Sequence, residues 1–189
     1  YWVYAYPHPE TITLPRYLKV VKRVTNLGLV LPPAYADLIK GVVRLGITDE
    51  KPIEVEGRTV VPLEFAVAFI LSRRKKLMKK AGLSGPMGCL KIVVKGFKDG
   101  KKSTYIFSMS SKRQGMGEGT GIPAALGAIL MERGKIRGRG VNPPEGCVAP
   151  MDFVELARSS MRLGKKKGLP IVVEHIDESG QSKTMPLPI

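Results

Sequence analysis

The chain has 189 residues, 43% of them hydrophobic, and no apolar run near the roughly 18 residues that a membrane helix needs. That is enough for one packed domain, or one with a small appendage, and it argues against a membrane-embedded chain. Cys89 and Cys147 are too few for a disulfide framework or a zinc site, so a reducing cytoplasm and no metal are expected.

The formal net charge is +15, an excess that suits nucleic acid, or a lysine-rich surface of thermophile type, although such surfaces usually carry matching glutamate. Aromatic residues make up only 6% of the chain, which leaves few stacking platforms for single strands. The chain begins at Tyr1 and shows no signal-peptide pattern, so it reads as a piece of a longer protein cut on its N-terminal side.

Tyr1 to Tyr6 alternates aromatic and small apolar residues and reads as a strand. In the following YPHPETITLPRYL, Pro7, Pro9 and Pro15 argue against a helix. Two prolines hold His8 extended, with Glu10 two residues on. The residues alone leave two readings open: a half-buried histidine in a rigid turn, or a proton-transfer group on a stiff backbone. Arg16 is likewise either a solvated charge or a carboxylate clamp. Leu18 to Gly28 reads as a short helix stopped by glycine. Pro33 opens a second helix, with Ala34, Leu38, Val42 and Leu45 on one face and Gly46 as its stop. Ile53 to Arg58 reads as a short edge segment.

Pro62 starts the longest helix, to about Lys80. Its first half is apolar (Leu63, Phe65, Ala66, Phe69, Ile70), and its end carries Arg73, Arg74, Lys75, Lys76, Lys79 and Lys80. Cations at a helix C-terminus complement the dipole, and a solvated face is the reading preferred here over a nucleic-acid one. Leu90 to Gly96 and Lys102 to Met109 are β-rich runs, and Asp99-Gly100 between them signals a hairpin.

The second run leads into GMGEGTGIPAALGAILMERGKIRGRGVNPPE, from Gly115 to Glu145. Thr120 reads as an N-cap, Pro123 as a first-turn residue, and Ile122, Leu126, Ile129 and Leu130 recur at helical spacing up to Gly134. A glycine loop at a helix N-terminus offers free N–H groups to a carboxylate or phosphate; it also reads as a mobile connector. No G-x-x-x-x-G-K-[ST] is present, and no Val- or Ile-rich strand enters the glycines directly, so neither standard nucleotide loop is indicated. Pro150 opens a helix to about Leu163 with Phe153, Leu156 and Ala157 inward. Lys165 to Lys167 reads as a solvated linker, Ile171 to His175 as a final strand and the end as a loose tail. Helices mixed with a hairpin predict an α+β (mixed α/β) domain rather than a doubly wound one.

In order along the chain, YPHPETITLPR, a hairpin reading V-x-G-x-x-x-G, GEGTGIPAALGAILMERGKI and GVNPPEGCVAPMDFVELARSS resemble the C-terminal domain of the saccharopine dehydrogenase-like oxidoreductases. The lysine 6-dehydrogenase and carboxynorspermidine dehydrogenase branches belong to that group. The resemblance implies a single substrate-binding and dimerisation domain over residues 1–175, built on a mixed, largely antiparallel sheet covered by helices, with a loose tail over 176–189. It also implies an N-terminal Rossmann half, absent here, that holds NAD or NADP, and a homodimer with no activity in this piece alone. The implied reaction is oxidation of a C–N bond in a lysine- or saccharopine-like amino acid. On that basis His8 is the candidate for proton transfer and Glu10 orients it. Arg16, Arg113, Gly119, Thr120 and Gly121 are candidates for holding substrate carboxylates. The basic end of the longest helix has no match in the family pattern. The alternative is a basic nucleic-acid-binding module using Arg73 to Lys80 and Lys165 to Lys167, and it ranks lower because no helix-turn-helix, RNP or zinc pattern accompanies the charge.

Overall fold

A computed structural model describes residues 2–29, 33–80, 82, 85, 87–111, 116–160, 162–163, 166–167 and 171–187. Within them the architecture is α+β, as expected, and every strand pair is antiparallel. Tertiary contacts gather the chain into two compact units, Tyr1–Ser84 and Gly85–Ile189, a boundary inside the stretch that the sequence reads as one domain. No helix among the described residues is long and apolar enough to cross a membrane.

The first unit holds β1 (Tyr4–Ala5), α1 (Glu10–Tyr17), β2 (Leu27–Gly28), α2 (Pro33–Arg44), β3 (Ile53–Val55), β4 (Arg58–Val60) and α3 (Pro62–Lys80). Two expectations fail here. The proline-rich stretch does form a helix: Pro9 takes the N-cap position at φ −52, where its missing N–H costs nothing. Pro15 sits inside α1 and leaves the Thr11 carbonyl without its usual donor, one lost bond in an eight-residue helix. Near the helix start the Thr11 and Thr13 hydroxyls add bonds by donating to the His8 and Pro9 carbonyls at 2.8 and 3.2 Å. The helix expected from Leu18 to Gly28 is absent. Its Val20, Val21, Val24 and Thr25 are β-branched and poor helix formers, and the segment ends instead as β2 paired to β1. The Tyr6 amide extends that pairing by donating to the Asn26 carbonyl at 3.1 Å.

Both α2 and α3 form as expected, and Gly46 at φ +75 ends the first of them. The apolar face read for α2 is not a buried one: Leu38 and Leu45 are exposed and Val42 is half-buried, while Ala36 is buried; of the apolar first half of α3 only Ala66 is buried. Between the two helices, β3 and β4 make a hairpin turned by Glu56 (φ 50) and Gly57 (φ 74).

The second unit holds β5 (Gly88–Lys98), β6 (Lys101–Ser111), α4 (Met116–Glu132), α5 (Pro144–Cys147), α6 (Pro150–Ser160), β7 (Arg162–Leu163), β8 (Lys166–Lys167), β9 (Ile171–Ile176) and β10 (Ser182–Met185). The Asp99-Gly100 turn forms with φ 52 and 78, a geometry that suits a two-residue hairpin turn, and it sets the register Lys98↔Lys101. Four strands then assemble in the order β10-β9-β6-β5. Ile106 and Val173 are buried at the sheet centre, while Leu126 and Leu130 of α4 pack on Leu156 and Ala157 of α6. Ile122, Ile136, Val148 and Phe153 ring that cluster.

The tail expected to be loose carries β10, which pairs with β9 in the register Ser182↔Ile176 to Met185↔Val173. Asp177 makes the turn between them. Its Oδ1 accepts from the Ser179 amide at 2.9 Å, the Ser179 hydroxyl at 2.6 Å and the Gln181 amide at 3.0 Å. The Ser179 hydroxyl above all, with these amides and nearby His175, holds the Asp177 carboxyl below its usual value of 3.8. A lowered carboxyl pKa means support that is complete above the ordinary carboxylate range and fades as pH falls through the folded value. Hydrogen-exchange protection at Ser182–Met185, taken relative to the intrinsic exchange rate at each pH, should therefore fall under acid conditions below about pH 4 in the native chain. In Asp177→Asn that acid-dependent step should be missing.

Candidate functional site

His8 lies between β1 and α1, where Pro7 and Pro9 fix its backbone on both sides. Its Nδ1 hydrogen-bonds to the Glu10 carboxylate. An ionised carboxylate only accepts, so in this contact Nδ1 carries a proton, and the tautomer that fits it has its free lone pair on Nε2. The two side chains are 42% and 46% exposed, and an ion pair that open to water adds about 1 kcal/mol or less to stability. The pair therefore does little to hold the fold together. Thr11 reinforces it by holding the His8 carbonyl, and the Tyr6 ring lies 5.9 Å from the imidazole.

A cavity of about 390 Å³ opens beside this segment, lined by Ala5, Tyr6, Pro7, Thr11 and the stretch Val24 to Leu27. The lining is mostly apolar, with Thr11, Thr25 and Asn26 as its short polar groups. It forms because β1 pairs with β2, which folds the stretch Val24 to Leu27 back beside Pro7. Sequence reading missed this wall altogether, having assigned those residues to a helix. Arg16 sits at the other end of α1 from Glu10, exposed and with no ion-pair partner among the described residues.

The other candidates belong to the second unit. Arg113 lies outside the described residues. Gly119, Thr120 and Gly121 are not a loop, because α4 begins at Met116 and runs through them. Free N–H groups at a helix start belong to its first turn, so Thr120 is not the cap, and Thr120 and Gly121 present no row of donors to an anion. The glycines keep helical φ, and a Cβ at Gly119 or Gly121 would meet nothing within 4 Å. Pro123 falls in the helix interior rather than its first turn, leaving the Gly119 carbonyl without its donor. The helix starts early because Glu118 of the first turn accepts a hydrogen bond from Ser111 at the end of β6, and a carboxylate there complements the dipole.

Two further groups were not singled out from sequence. The RGRGVNPPEGC loop is closed by a bridge between Ile136 and Val148 and by the Arg137 amide donating to the Cys147 carbonyl at 2.9 Å. Gly138 and Gly140 take φ +80 and +88, so Arg137 and Arg139 stand exposed on a tightly folded loop, with no ion-pair partner among the described residues. Their alternation with glycine was the available signal. On the sheet, Ser103 Oγ and His175 Nε2 are 2.6 Å apart, and His175 stacks on Tyr105 with ring centroids 4.6 Å apart. Both pairs follow from the cross-strand register Tyr105↔His175, which no single-strand pattern reveals. Among the described residues, no group of three or more His, Cys, Asp or Glu is placed to hold a metal ion.

The described residues do not fit a dinucleotide. A phosphate-binding crossover needs a parallel strand–turn–helix unit, whereas β6 is antiparallel to both of its neighbours and the glycines that follow are helical. No family model matches the chain. It is similar to carboxyaminopropylagmatine dehydrogenase of Synechocystis sp. (strain ATCC 27184 / PCC 6803 / Kazusa), 28% identical over 143 residues. The match covers 71% of this chain, which spans about a third (35%) of the length of that curated relative. The chain is thus a distant relative of an oxidoreductase of the dehydrogenase type.

Proposed function

We propose that this distant relative of a dehydrogenase is the C-terminal, substrate-binding and dimerisation part of an NAD(P)-dependent amino-acid oxidoreductase of the saccharopine dehydrogenase-like type. The observation that carries the reading is the His8–Glu10 pair in the segment whose Pro7 and Thr11 line a mainly apolar cavity, although His8 and Glu10 are not themselves in its lining. Oxidation at a C–N bond requires an amine that has given up its proton. His8, with its Nδ1 proton held by Glu10, offers Nε2 to take that proton, and Glu10 stabilises the imidazolium that results. Ala5, Pro7, Val24 and Leu27 suit the methylene chain of a lysine-like substrate, and Thr11 and Asn26 suit its polar end. Arg16, with no ion-pair partner among the described residues and at the end of the same helix, is the candidate for a carboxylate in this unit. NAD or NADP, held by a separate Rossmann half, supplies the hydride acceptor. A cytoplasmic homodimer belongs to the same proposal.

The test is an assay of the full gene product with NAD and NADP across lysine, saccharopine and their shorter homologues. Cofactor reduction with one of the longer-chain amino acids, and none by residues 1–189 alone, is the expected result. Failure on every amino acid, by a protein that still binds the nicotinamide cofactor, would remove the reading.

A further inference from the structure

The basic end of α3 is not absorbed by the reading above, and the structure adds to it something the sequence did not show. Phe65 and Phe69, two of the five phenylalanines, are 59% and 50% exposed and stack on each other, with ring centroids 5.9 Å apart and planes at 21°. The Arg73 guanidinium lies over the Phe69 ring, 5.4 Å from its centroid. Phe65, Phe69, Arg73, Lys76 and Lys80 follow one another at spacings of three and four, so they form one stripe about 22 Å long on one side of the helix. No acidic residue occurs from Phe65 to Lys80, and no cation of this segment has an ion-pair partner among the described residues.

We propose that this stripe is a binding surface for single-stranded nucleic acid, with bases stacking on the exposed phenylalanine rings and phosphates tracking the cations beyond them. Exposed rings leading into unpaired cations are the two parts that sequence-tolerant single-strand binding needs. A lone basic helix end would need no aromatic stack, and dipole complementarity calls for fewer than six charges. An anionic membrane is a poorer occupant. Val67 and Leu71, also exposed, point away from the stripe, so the apolar residues are grouped along the axis and form no single face to enter a lipid boundary.

The experiment uses the full 189-residue chain and a fluorescein-labelled oligo-dT 12-mer, followed by anisotropy from 50 to 300 mM salt. Binding at low salt is expected, with Phe65→Ala and Phe69→Ala each weakening it about 5- to 150-fold. Replacing Arg73, Lys76 and Lys80 by glutamine should flatten the log–log salt slope by about 2. Phe69→Trp keeps the platform, so its binding should survive and its added indole emission should be quenched by the oligomer. Three results would overturn the proposal. One is no binding at 50 mM salt, and another is alanine variants that bind as the parent does. The third is full displacement by vesicles of phosphatidylglycerol or by inorganic polyphosphate at equal charge, which would assign the patch to anions in general.

Discussion

In the protein joined to its cofactor half, His8→Gln should lower kcat on the order of 100- to 10,000-fold, the range for loss of a positioned proton acceptor. KM should change little, because glutamine fills similar space and the cavity walls from Ala5, Val24 and Leu27 are untouched. Glu10→Gln should cost less than that, since Nε2 is still present and only its orientation and the stabilisation of the charged ring are weakened. Both side chains are close to half exposed, so neither change should move folding stability by more than about 1 kcal/mol. Unchanged kcat in His8→Gln, with a melting curve like the parent's, would strip His8 of the role and leave the cavity as a binding feature alone.

The second large effect concerns folding. Leu130 is 2% exposed, at the centre of the α4–α6 contact with Leu126, Leu156 and Ala157. Leu130→Ala should destabilise the second unit by about 2–5 kcal/mol, through lost transfer energy plus an unfilled cavity. For a body of this size that corresponds to a fall in Tm of roughly 10–20 °C or more, readable by thermal melting. Met131→Ala, one residue on but 68% exposed, is the matched control and should leave Tm nearly unchanged. Equal shifts for the two would mean that α4 does not pack on α6 through this face.

The sequence was most readable where a local rule decides the outcome. Asp99-Gly100 specified its hairpin because positive φ at two successive positions is a property of those residue types. Pro62 and the run behind it specified α3, and Pro150 specified α6 with Leu156 and Ala157 inward, as periodicity required. Legibility failed where two local rules conflict or where the answer lies in another strand. Thr120-Gly-Ile-Pro has the chemistry of a helix start, but the Ser111–Glu118 contact ties the chain earlier and α4 begins four residues sooner. Pro15 should interrupt α1, yet its cost is one bond, since the helix ends at Tyr17. The candidate site was half visible. His8 and Glu10 were read from YPHPE, while the cavity wall from Val24 to Leu27 exists only because β2 returns to β1, a pairing of two residues too short for any pattern to announce.

Eleven residues of β5 run along the outer margin of the four-stranded sheet, hydrogen-bonded among the described residues to a neighbour on one side only. A rail of that length, with Leu90, Ile92 and Val94 about half open to water, is an adhesive edge for any extended polypeptide. Lys91, Lys95 and Lys98 are interspersed along it and give the edge a same-sign repulsion that salt screens. The association of copies of this chain should therefore depend on ionic strength: dilute buffer should keep them apart, and concentrated salt should favour edge-to-edge pairing along β5, as light scattering would show.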